Sequence, residues 1–328
     1  MSSPPVVLTG SRSALGRRVR ALVETRSAQR ARAVEDVLTD ELKPSFEGAD
    51  AVLHLATGVP SSPTGATTDV EAARRVLDAA GNASIGHLLL ISDATVYGAW
   101  PNNPVPLTDD AVLRPNPGFP YAAERAEVER LAGEWRAAHP GVTLTILRPV
   151  RTLGWADWLI RALRPTSAVP EHVDEPPVQF LDLDDLATAI DVAHRQRLDG
   201  VYNVAPDGAI AGDEVRSLMG AGPRVRLPDR FIERLARWRF RSGLAATPPE
   251  LVPYTVHPWV VANDRLRAAG WRPRITNEEA CIEAHEAGPF ATLSPQRRQE
   301  IALAAAGAGL ASAVAGGVLV ARRLLRSR

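Results

Sequence analysis

The stretch HLLLISDATVYG, His87–Gly98, constrains the fold of this chain more than any other segment. Its first half is a run of apolar residues, which is typical of a strand buried on both faces of a parallel sheet. The run gives way to small polar residues, from Ser92 to Thr95, at the predicted carboxyl end of the strand. Open α/β sheets bind ligands at that edge, so we predict a ligand site here.

Tyr121 and Arg125 begin the next predicted helix, four residues apart. At that spacing both side chains lie on one face of a helix. A permanent cation one turn from a phenol favours the phenolate, so the pair is suited to proton transfer. A structural tyrosine–arginine pair has the same spacing, and the spacing alone leaves both interpretations open.

A second ligand-binding pattern lies at residues 5–16, PVVLTGSRSALG, which predict a strand, a glycine turn and a helix. Backbone N–H groups at a helix N-terminus favour an anion such as a pyrophosphate. Gly10 suits the tight turn, Gly16 suits close packing of helix on strand, and Leu15 belongs to the same candidate cofactor site. Ser13 stands where a middle glycine is expected, and its Cβ weakens the motif.

Asp36 lies 20 residues past Gly16, where an acidic residue can hold the adenosine ribose of a dinucleotide, and Val37 adjoins it. The alternative is that Asp36 caps the helix predicted at Thr39–Phe46. A third cofactor candidate, Ala56, lies at the small-residue exit of the next predicted strand.

That next strand is Ala51–Leu55, in which we interpret His54 as a strand residue and not as a catalyst. Between it and the first helix there is one strand candidate, Arg32–Val37, whereas a full dinucleotide-binding half has two. The helix predicted over Asp69–Ala80 ends at Gly81, in the manner of a glycine C-cap.

Strands and helices alternate up to residue 150, which predicts an α/β fold with a doubly wound parallel sheet of the Rossmann type. Beyond Gly154 proline becomes frequent and the elements shorten. We therefore expect a dinucleotide-binding-type domain at 1–154 and a smaller substrate-like domain at 155–292, whose short strands return to the sheet. A C-terminal tail, 293–328, follows.

The tail contains 21 residues without a charge, Ile301–Ala321, followed by four arginines. That length spans a bilayer core of ~30 Å. We predict a membrane helix that tethers the body to the cytoplasmic face of the cell membrane. The alternatives are a helix packed on a cytoplasmic body and a helix lying on the membrane surface. We expect no secretory signal, because the first apolar run ends in Thr9-Gly10.

The composition of the chain excludes several kinds of partner and site. Lys+Arg and Asp+Glu are equal at 38 each, so no net charge draws the chain to nucleic acid, and we expect no nucleic-acid partner. The basic, aromatic segment Phe231–Phe240 is interpreted as a solvated helix face. Cys281 is the single cysteine, which excludes an internal disulfide and a cysteine-based zinc site, and we expect no metal.

Eight segments in order resemble the extended short-chain dehydrogenase/reductases of the NAD-dependent epimerase/dehydratase family. They are TGSRSALG, FEGADAVLHLAT, LLLISDATVYG, the Tyr121-x-x-x-Arg125 pair, LRPVRTLG, VQFLDLDDLATA, GVYNVA and NDRLRAAGWRP. The resemblance implies a Rossmann fold, NAD or NADP as cofactor, a small-molecule substrate and a homodimer. It implies a tyrosine acid/base, a lysine four residues on that lowers the tyrosine pKa, and a serine or threonine that binds the reacting oxygen.

Tyr121 matches the family tyrosine, but Arg125 stands at the lysine position and Asp93 at the serine/threonine position. A carboxylate beside Tyr121 disfavours the phenolate, and we expect Arg125 to pair with Asp93 in a structural ion pair. Ser92 or Thr95 are the candidates to replace the missing hydroxyl.

Three further positions depart from the family pattern. Asp69 stands for an asparagine, Val178 for the arginine that grips a sugar-nucleotide diphosphate, and Arg151 for the asparagine of the R-P-x-N motif. Two functions therefore stay open. One is a degenerate member with weak or absent dehydrogenase chemistry that binds a nucleotide or a partner at the membrane. The other is an active NAD(P)-dependent oxidoreductase or epimerase that uses Tyr121 with Arg125.

Overall fold

A computed structural model describes residues 4–26, 29–55, 68–155, 157–163, 168–170, 174–218, 225–242 and 248–284. The strands are β1 (Val6–Thr9), β2 (Ala31–Val34), β3 (Ala51–His54), β4 (His87–Ile91), β5 (Thr143–Pro149), β6 (Arg151–Thr152), β7 (Ala168–Pro170), β8 (Phe180–Leu181), β9 (Gly200–Val204) and β10 (Val225–Leu227). The helices are α1 (Ala14–Arg26), α2 (Leu42–Phe46), α3 (Asp69–Ala83), α4 (Pro120–Ala138), α5 (Asp157–Ala162), α6 (Leu183–Arg195), α7 (Gly212–Leu218), α8 (Asp229–Arg241), α9 (Pro253–Val256), α10 (Asp264–Ala268) and α11 (Asn277–Ala284). Short 3-10 helices lie at Ala94–Tyr97 and Pro249–Leu251.

Six strands form one parallel sheet in the order β2-β1-β3-β4-β5-β9, which confirms the predicted α/β class. In the described stretch between β1 and β3, β2 is the one strand, as predicted, and it ends at Val34 instead of Val37. The strand order reverses between β1 and β3, and a ligand crevice is expected at the carboxyl edge beside that reversal.

The sheet is covered on both faces, because apolar residues of its inner strands pack against helices on either side. In β1, Val6 and Leu8 pack with residues of α1 and α6, while Val7 packs with residues of α2 and α3. All five residues of β4 are buried, as the apolar run Leu88–Ile91 indicates. The central strand therefore delivers the loop after Ile91 to the ligand edge from a fixed, fully packed position.

Helix α3 differs from its prediction at the C-terminus. It continues through Gly81 to Ala83, and Ser84 adopts the left-handed conformation that ends it, with φ of 53°. Gly81 instead gives room to the neighbouring helix, since a Cβ there would lie 2.8 Å from the His139 ring. The glycine thus serves helix packing, which the sequence pattern alone does not distinguish from capping.

β9 returns to the main sheet beside β5, while β6 pairs with β8 and β7 with β10 in two small parallel sheets. The domain division at residue 154 stays a prediction. The predicted tail helix, Ile301–Ala321, lies outside the described residues. Among the residues that are described, none of the helices is both long enough and apolar enough to cross a membrane.

Candidate active site

The glycine turn after β1 has the shape of a phosphate cradle. Gly10 has φ of 70°, which favours glycine, and a Cβ on Gly16 would lie 2.2 Å from the Gly10 carbonyl oxygen. The Ser13 hydroxyl donates to that carbonyl at 2.8 Å and accepts from the Gly16 N–H at 2.9 Å, so Ser13 is the N-cap of α1. The Leu15 side chain is buried in the core, so Leu15 can contact a ligand only through its backbone.

The turn is in contact with the carboxylate of Glu35. Glu35 accepts from the Ser11 hydroxyl at 3.0 Å and pairs with Arg12 at 2.6 Å. The Asp36 carboxylate instead accepts from the Leu38 N–H at 2.9 Å within its own turn. It does not cap the following helix, because α2 begins at Leu42 and Glu41 stands at its N-cap. Glu35 directly follows β2, and that adjacency is the signal that would have identified it.

The other two cofactor candidates contribute less to the described site. Val37 is 6% exposed and packs in the core on the far face of the sheet. Ala56 lies outside the described residues. The dinucleotide candidates that the structure brings together are therefore Gly10, Ser13 and Gly16, with the backbone of Leu15.

At the end of β4 the structure places Tyr121 against Asp93. The Tyr121 hydroxyl lies 3.4 Å from Asp93 Oδ2, a long contact for a hydroxyl donor, and both side chains are buried. Asp93 Oδ1 accepts from the Thr95 N–H at 2.7 Å and so caps the 3-10 helix that follows. Asp93 thus has a structural role in addition to its position beside the tyrosine.

Arg125 does not pair with Asp93, which corrects our expectation. Its Nη2 lies 2.6 Å from Asp69 Oδ2 on α3, and its Nη1 donates to the Ile91 carbonyl at 3.3 Å. The guanidinium carbon is 5.1 Å from the centre of the Tyr121 ring. Two acidic residues were available to Arg125, and the side-by-side packing of α3 and α4 decides for Asp69.

The charges around Tyr121 oppose its ionisation. Burial raises its pKa far above the usual value, the negative charges of Asp93 and Asp69 add to the shift, and Arg125 opposes it. Burial also raises the pKa of Asp93, against the hydrogen bonds from Thr95 and the charge of Arg125. These influences favour the neutral phenol of Tyr121, which can donate a hydrogen bond but loses its proton less readily than an ordinary tyrosine.

A second buried network, which the sequence did not predict, surrounds Ser92. The Ser92 hydroxyl donates to Glu129, and Arg148 contacts the same carboxylate through Nε at 3.0 Å and Nη2 at 2.6 Å. Arg148 also donates to the Tyr97 hydroxyl at 2.6 Å, and that hydroxyl donates to Asn203 at 2.7 Å. Ser92 is committed to this network and is not the free hydroxyl that would replace the family serine.

Thr95, the other candidate for that role, is fully buried beside Asp93.

His54 Nδ1 is hydrogen-bonded to the Thr9 hydroxyl at 2.7 Å. Burial lowers the pKa of His54 to about 4. His54 is thus a neutral, hydrogen-bonded core residue.

Among the described residues no cluster of metal-binding side chains occurs. Arg151 and Val178, two positions that depart from the family pattern, line one small pocket with Trp259.

A sequence profile of the NAD dependent epimerase/dehydratase family matches residues 13–205 of this chain. Curated relatives include uncharacterized proteins of Mycobacterium tuberculosis and Mycobacterium bovis, each 25% identical over 242 residues. The match covers 70% of this chain and 64% of each relative, so the chain spans less than two thirds of their length.

Several solved structures share the fold. A UDP-glucuronic acid 4-epimerase from Bacillus cereus is 13% identical with a TM-score of 0.62, over 85% of this chain and 96% of that one. A short-chain dehydrogenase/reductase superfamily protein from Agrobacterium tumefaciens with bound NAD is 21% identical with a TM-score of 0.60, over 90% and 98%. A UDP-glucose 4-epimerase from Thermus thermophilus in complex with NAD is 19% identical with a TM-score of 0.58, over 85% and 96%.

Proposed function

The chain belongs to the NAD-dependent epimerase/dehydratase family, and we propose that it is an NAD(P)-binding member with weak or absent dehydrogenase chemistry. The observation that carries the proposal is the buried pair of Arg125 with Asp69, 2.6 Å apart beside Tyr121. A carboxylate at that distance offsets the cation that would otherwise favour the phenolate. Tyr121 therefore keeps its proton and does not serve as a base at neutral pH.

The turn after β1 fits the pyrophosphate of a dinucleotide in its backbone. Gly10 adopts the positive φ that the turn needs, and the absent Cβ of Gly16 lets the turn lie close against α1. The first N–H groups of a helix have no acceptor within the helix itself. The Ser13 hydroxyl competes for one of those donors, so we expect a weaker cofactor affinity. NAD or NADP, when bound, supplies hydride transfer.

Two other features support the cofactor as NAD(P). Glu35 is a carboxylate beside the turn, where an acidic residue can bind a ribose hydroxyl. Solved relatives of the same fold contain NAD, among them the epimerase from Thermus thermophilus. For this chain, we propose a small-molecule substrate at the edge of the sheet beside Tyr121.

Titration of the purified chain with NAD(H) and NADP(H) by calorimetry tests the proposal. We expect measurable but weak binding of one dinucleotide. We also expect the binding to show no proton exchange of the kind that a Tyr121 with a pKa below 10 would give. Tyr121→Phe should leave binding unchanged within twofold. Low-micromolar binding together with rapid cofactor-linked turnover would contradict the proposal.

An active oxidoreductase or epimerase is the second candidate, favoured by the contact of the Tyr121 hydroxyl with Asp93. In that case the Asp93 carboxylate acts on the substrate as a general base. Asp93→Asn separates the two functions. If the site is catalytically inactive, the variant should bind its ligand as the unmodified chain does. If Asp93 is the base, the variant should lose all activity.

Membrane tethering through Ile301–Ala321 and a homodimer also belong to this proposal. The support for the tether is the sequence itself, 21 uncharged residues followed by arginines. Fractionation of the full chain and of a chain truncated after Leu293 tests it. We expect the full chain in the membrane fraction and the truncated chain in the cytoplasmic fraction. Equal solubility of the two would remove the tether.

A further inference from the structure

Helix α8 leaves two large aromatic side chains at the protein surface. Phe231 and Trp238 are seven residues apart, which is two helical turns and about 10 Å along one face. Their side chains are 46% and 59% exposed, whereas Ile232 is buried where α8 packs against β7 and the 3-10 helix at Pro249–Leu251. The packed side of α8 is therefore not the side that carries Phe231 and Trp238.

Two exposed arginines lie on the same face as the rings. Arg234 follows Phe231 by three residues and Arg241 follows Trp238 by three residues, so rings and cations alternate along the helix. We call these four residues the α8 stripe. In an ordinary amphipathic surface helix the large apolar side chains face the core and the charged ones face water. The α8 stripe departs from that pattern because aromatic rings stand among the charges.

Helix α1 shows that the stripe is more than an excess of arginine. Both helices have more arginines than acidic residues, five against two in α8 and four against one in α1. In α1, however, Arg18, Arg20 and Arg26 each pair with a carboxylate, and none of its large apolar side chains is exposed. The combination of exposed rings with exposed arginines is thus particular to α8 within this pair.

The charge of the chain is also divided between regions. Outside α8 and residues 285–328, the chain contains 27 Lys and Arg against 34 Asp and Glu. Residues 285–328 contain six arginines against two glutamates. An anionic surface therefore attracts α8 and the tail and repels the remainder of the chain, which favours an orientation with α8 toward that surface.

The α8 stripe has the chemistry of a helix at the interface of an anionic bilayer. Tryptophan is enriched at the membrane–water interface, where its ring lies at the level of the headgroups. Arginine side chains lie along apolar surface and keep the guanidinium in the polar region, and clusters of them are attracted to anionic lipids. A nucleic acid fits less well, because single-strand binding uses a continuous basic groove and the surroundings of α8 are acidic overall.

We propose that α8 docks on an anionic lipid surface, with Phe231 and Trp238 among the headgroups and Arg234 and Arg241 on lipid phosphates. The proposal rests on the proposed function in one respect, that the tail holds the chain at a membrane. Sixteen residues, 285–300, separate α11 from the uncharged segment, and they span at most roughly 55 Å. A bilayer that holds the tail is then always within reach of the body, and α8 decides how the body lies on it.

The test follows Trp238 in the full chain with vesicles whose acyl chains carry bromine, which quenches tryptophan fluorescence in the bilayer. Vesicles of phosphatidylcholine alone are compared with vesicles that also contain phosphatidylglycerol. The chain has seven tryptophans, so the Trp238 signal is the difference between the unmodified chain and Trp238→Phe. We expect quenching of Trp238 by the anionic vesicles, and weaker quenching by neutral vesicles or at high salt.

Two double variants with the same change of charge test the arginines. Arg234→Gln/Arg241→Gln should remove at least half of the Trp238 quenching at saturating anionic lipid. Arg20→Gln/Arg130→Gln is the matched control, because it removes two half-exposed arginines from α1 and α4. We expect the control to quench as the unmodified chain does. Circular dichroism should show the same helix content in both variants, since all four side chains lie at the surface.

Flotation with neutral vesicles keeps this question apart from the proposed tether. A full chain that does not float with them contradicts the tether, and Trp238 quenching by anionic vesicles then still supports docking of α8. Absence of that quenching overturns the α8 proposal whether or not the chain floats. Equal quenching in Arg234→Gln/Arg241→Gln and the unmodified chain overturns it as well. Binding of a single-stranded oligonucleotide that this variant abolishes, without quenching by vesicles, would assign the α8 stripe to a nucleic acid.

Discussion

Two buried ion pairs meet α4 one turn apart, and they are built differently. Glu129 receives Nε and Nη2 of Arg148 and the Ser92 hydroxyl, and Arg148 is further held by Tyr97. Arg125 makes a single close contact with its carboxylate, through Nη2, and its guanidinium lies over the Tyr121 ring. The first pair has its hydrogen-bonding capacity filled by the protein, whereas the second adjoins a titratable phenol.

The difference separates two uses of the same chemistry. A buried pair that is saturated by hydrogen bonds fixes the elements it joins, here β4, α4 and β5. A pair beside a phenol also sets the charge balance that decides whether the phenol ionises. Substitutions in the first pair should therefore change stability, and substitutions in the second should change stability less and the Tyr121 pKa more.

The largest expected effect is that of Glu129→Gln. The change leaves Arg148 as a buried cation without a carboxylate, and we expect a loss of about 3 kcal/mol in the free energy of unfolding, measured by urea denaturation. Glu127→Gln, on a half-exposed carboxylate of the same helix, is the control and should lose much less stability than Glu129→Gln. Equal losses in the two variants would contradict the structural role of the buried pair.

Asp69→Asn tests the second pair. The amide keeps one acceptor for Arg125 and removes the negative charge, so we expect a loss on the order of 2 kcal/mol in stability. Because Asp69 raises the pKa of Tyr121, that pKa should fall in the variant. Ultraviolet titration of tyrosinate, compared with Asp69→Asn/Tyr121→Phe, isolates this tyrosine from the other three. An unchanged Tyr121 pKa would sink the electrostatic role.

Asp93→Asn should have a smaller effect that depends on pH. Burial raises the Asp93 pKa above its usual 3.8, so the folded chain holds this proton more tightly than the unfolded chain. Burying the ionised carboxylate lowers the stability of the fold. This loss of stability is absent below the unfolded-state pKa of about 3.8 and grows as the pH rises toward the folded-state pKa. The variant should therefore be more stable than the unmodified chain at pH 7, by about 1 kcal/mol, and equal to it near pH 3. A constant difference between pH 3 and pH 7 would contradict this account.

Ser13→Gly should have the smallest effect on stability. The N-cap hydroxyl of α1 is lost, for which glycine substitutes at a loss of a few tenths of a kcal/mol. The freed Gly16 N–H becomes available to a pyrophosphate, so dinucleotide binding should tighten. Calorimetry measures the second effect and thermal melting the first. Weaker dinucleotide binding in the variant would mean that the Ser13 hydroxyl assists the cofactor.

The elements around the site could be predicted because their signals are local. The apolar run of β4 and the four-residue spacing of Tyr121 and Arg125 both appear in the structure. The partner of Arg125 could not be predicted, because Asp69 and Asp93 are both acidic. The packing of α3 on α4 determines that Asp69 is the partner. The same holds for Arg151, whose burial depends on the distant ring of Trp259.

The strand that is missing after β2 also bears on how the protein behaves at high concentration. In the described sheet β2 is the outermost strand, and an open edge is a template on which a second chain can add a strand and aggregate. β2 has only four residues, and the Arg32 side chain on it reaches the Ser45 and Glu47 carbonyls. A short edge that carries a cation discourages such addition, so we expect β2 to be a poor template for a strand of a second chain.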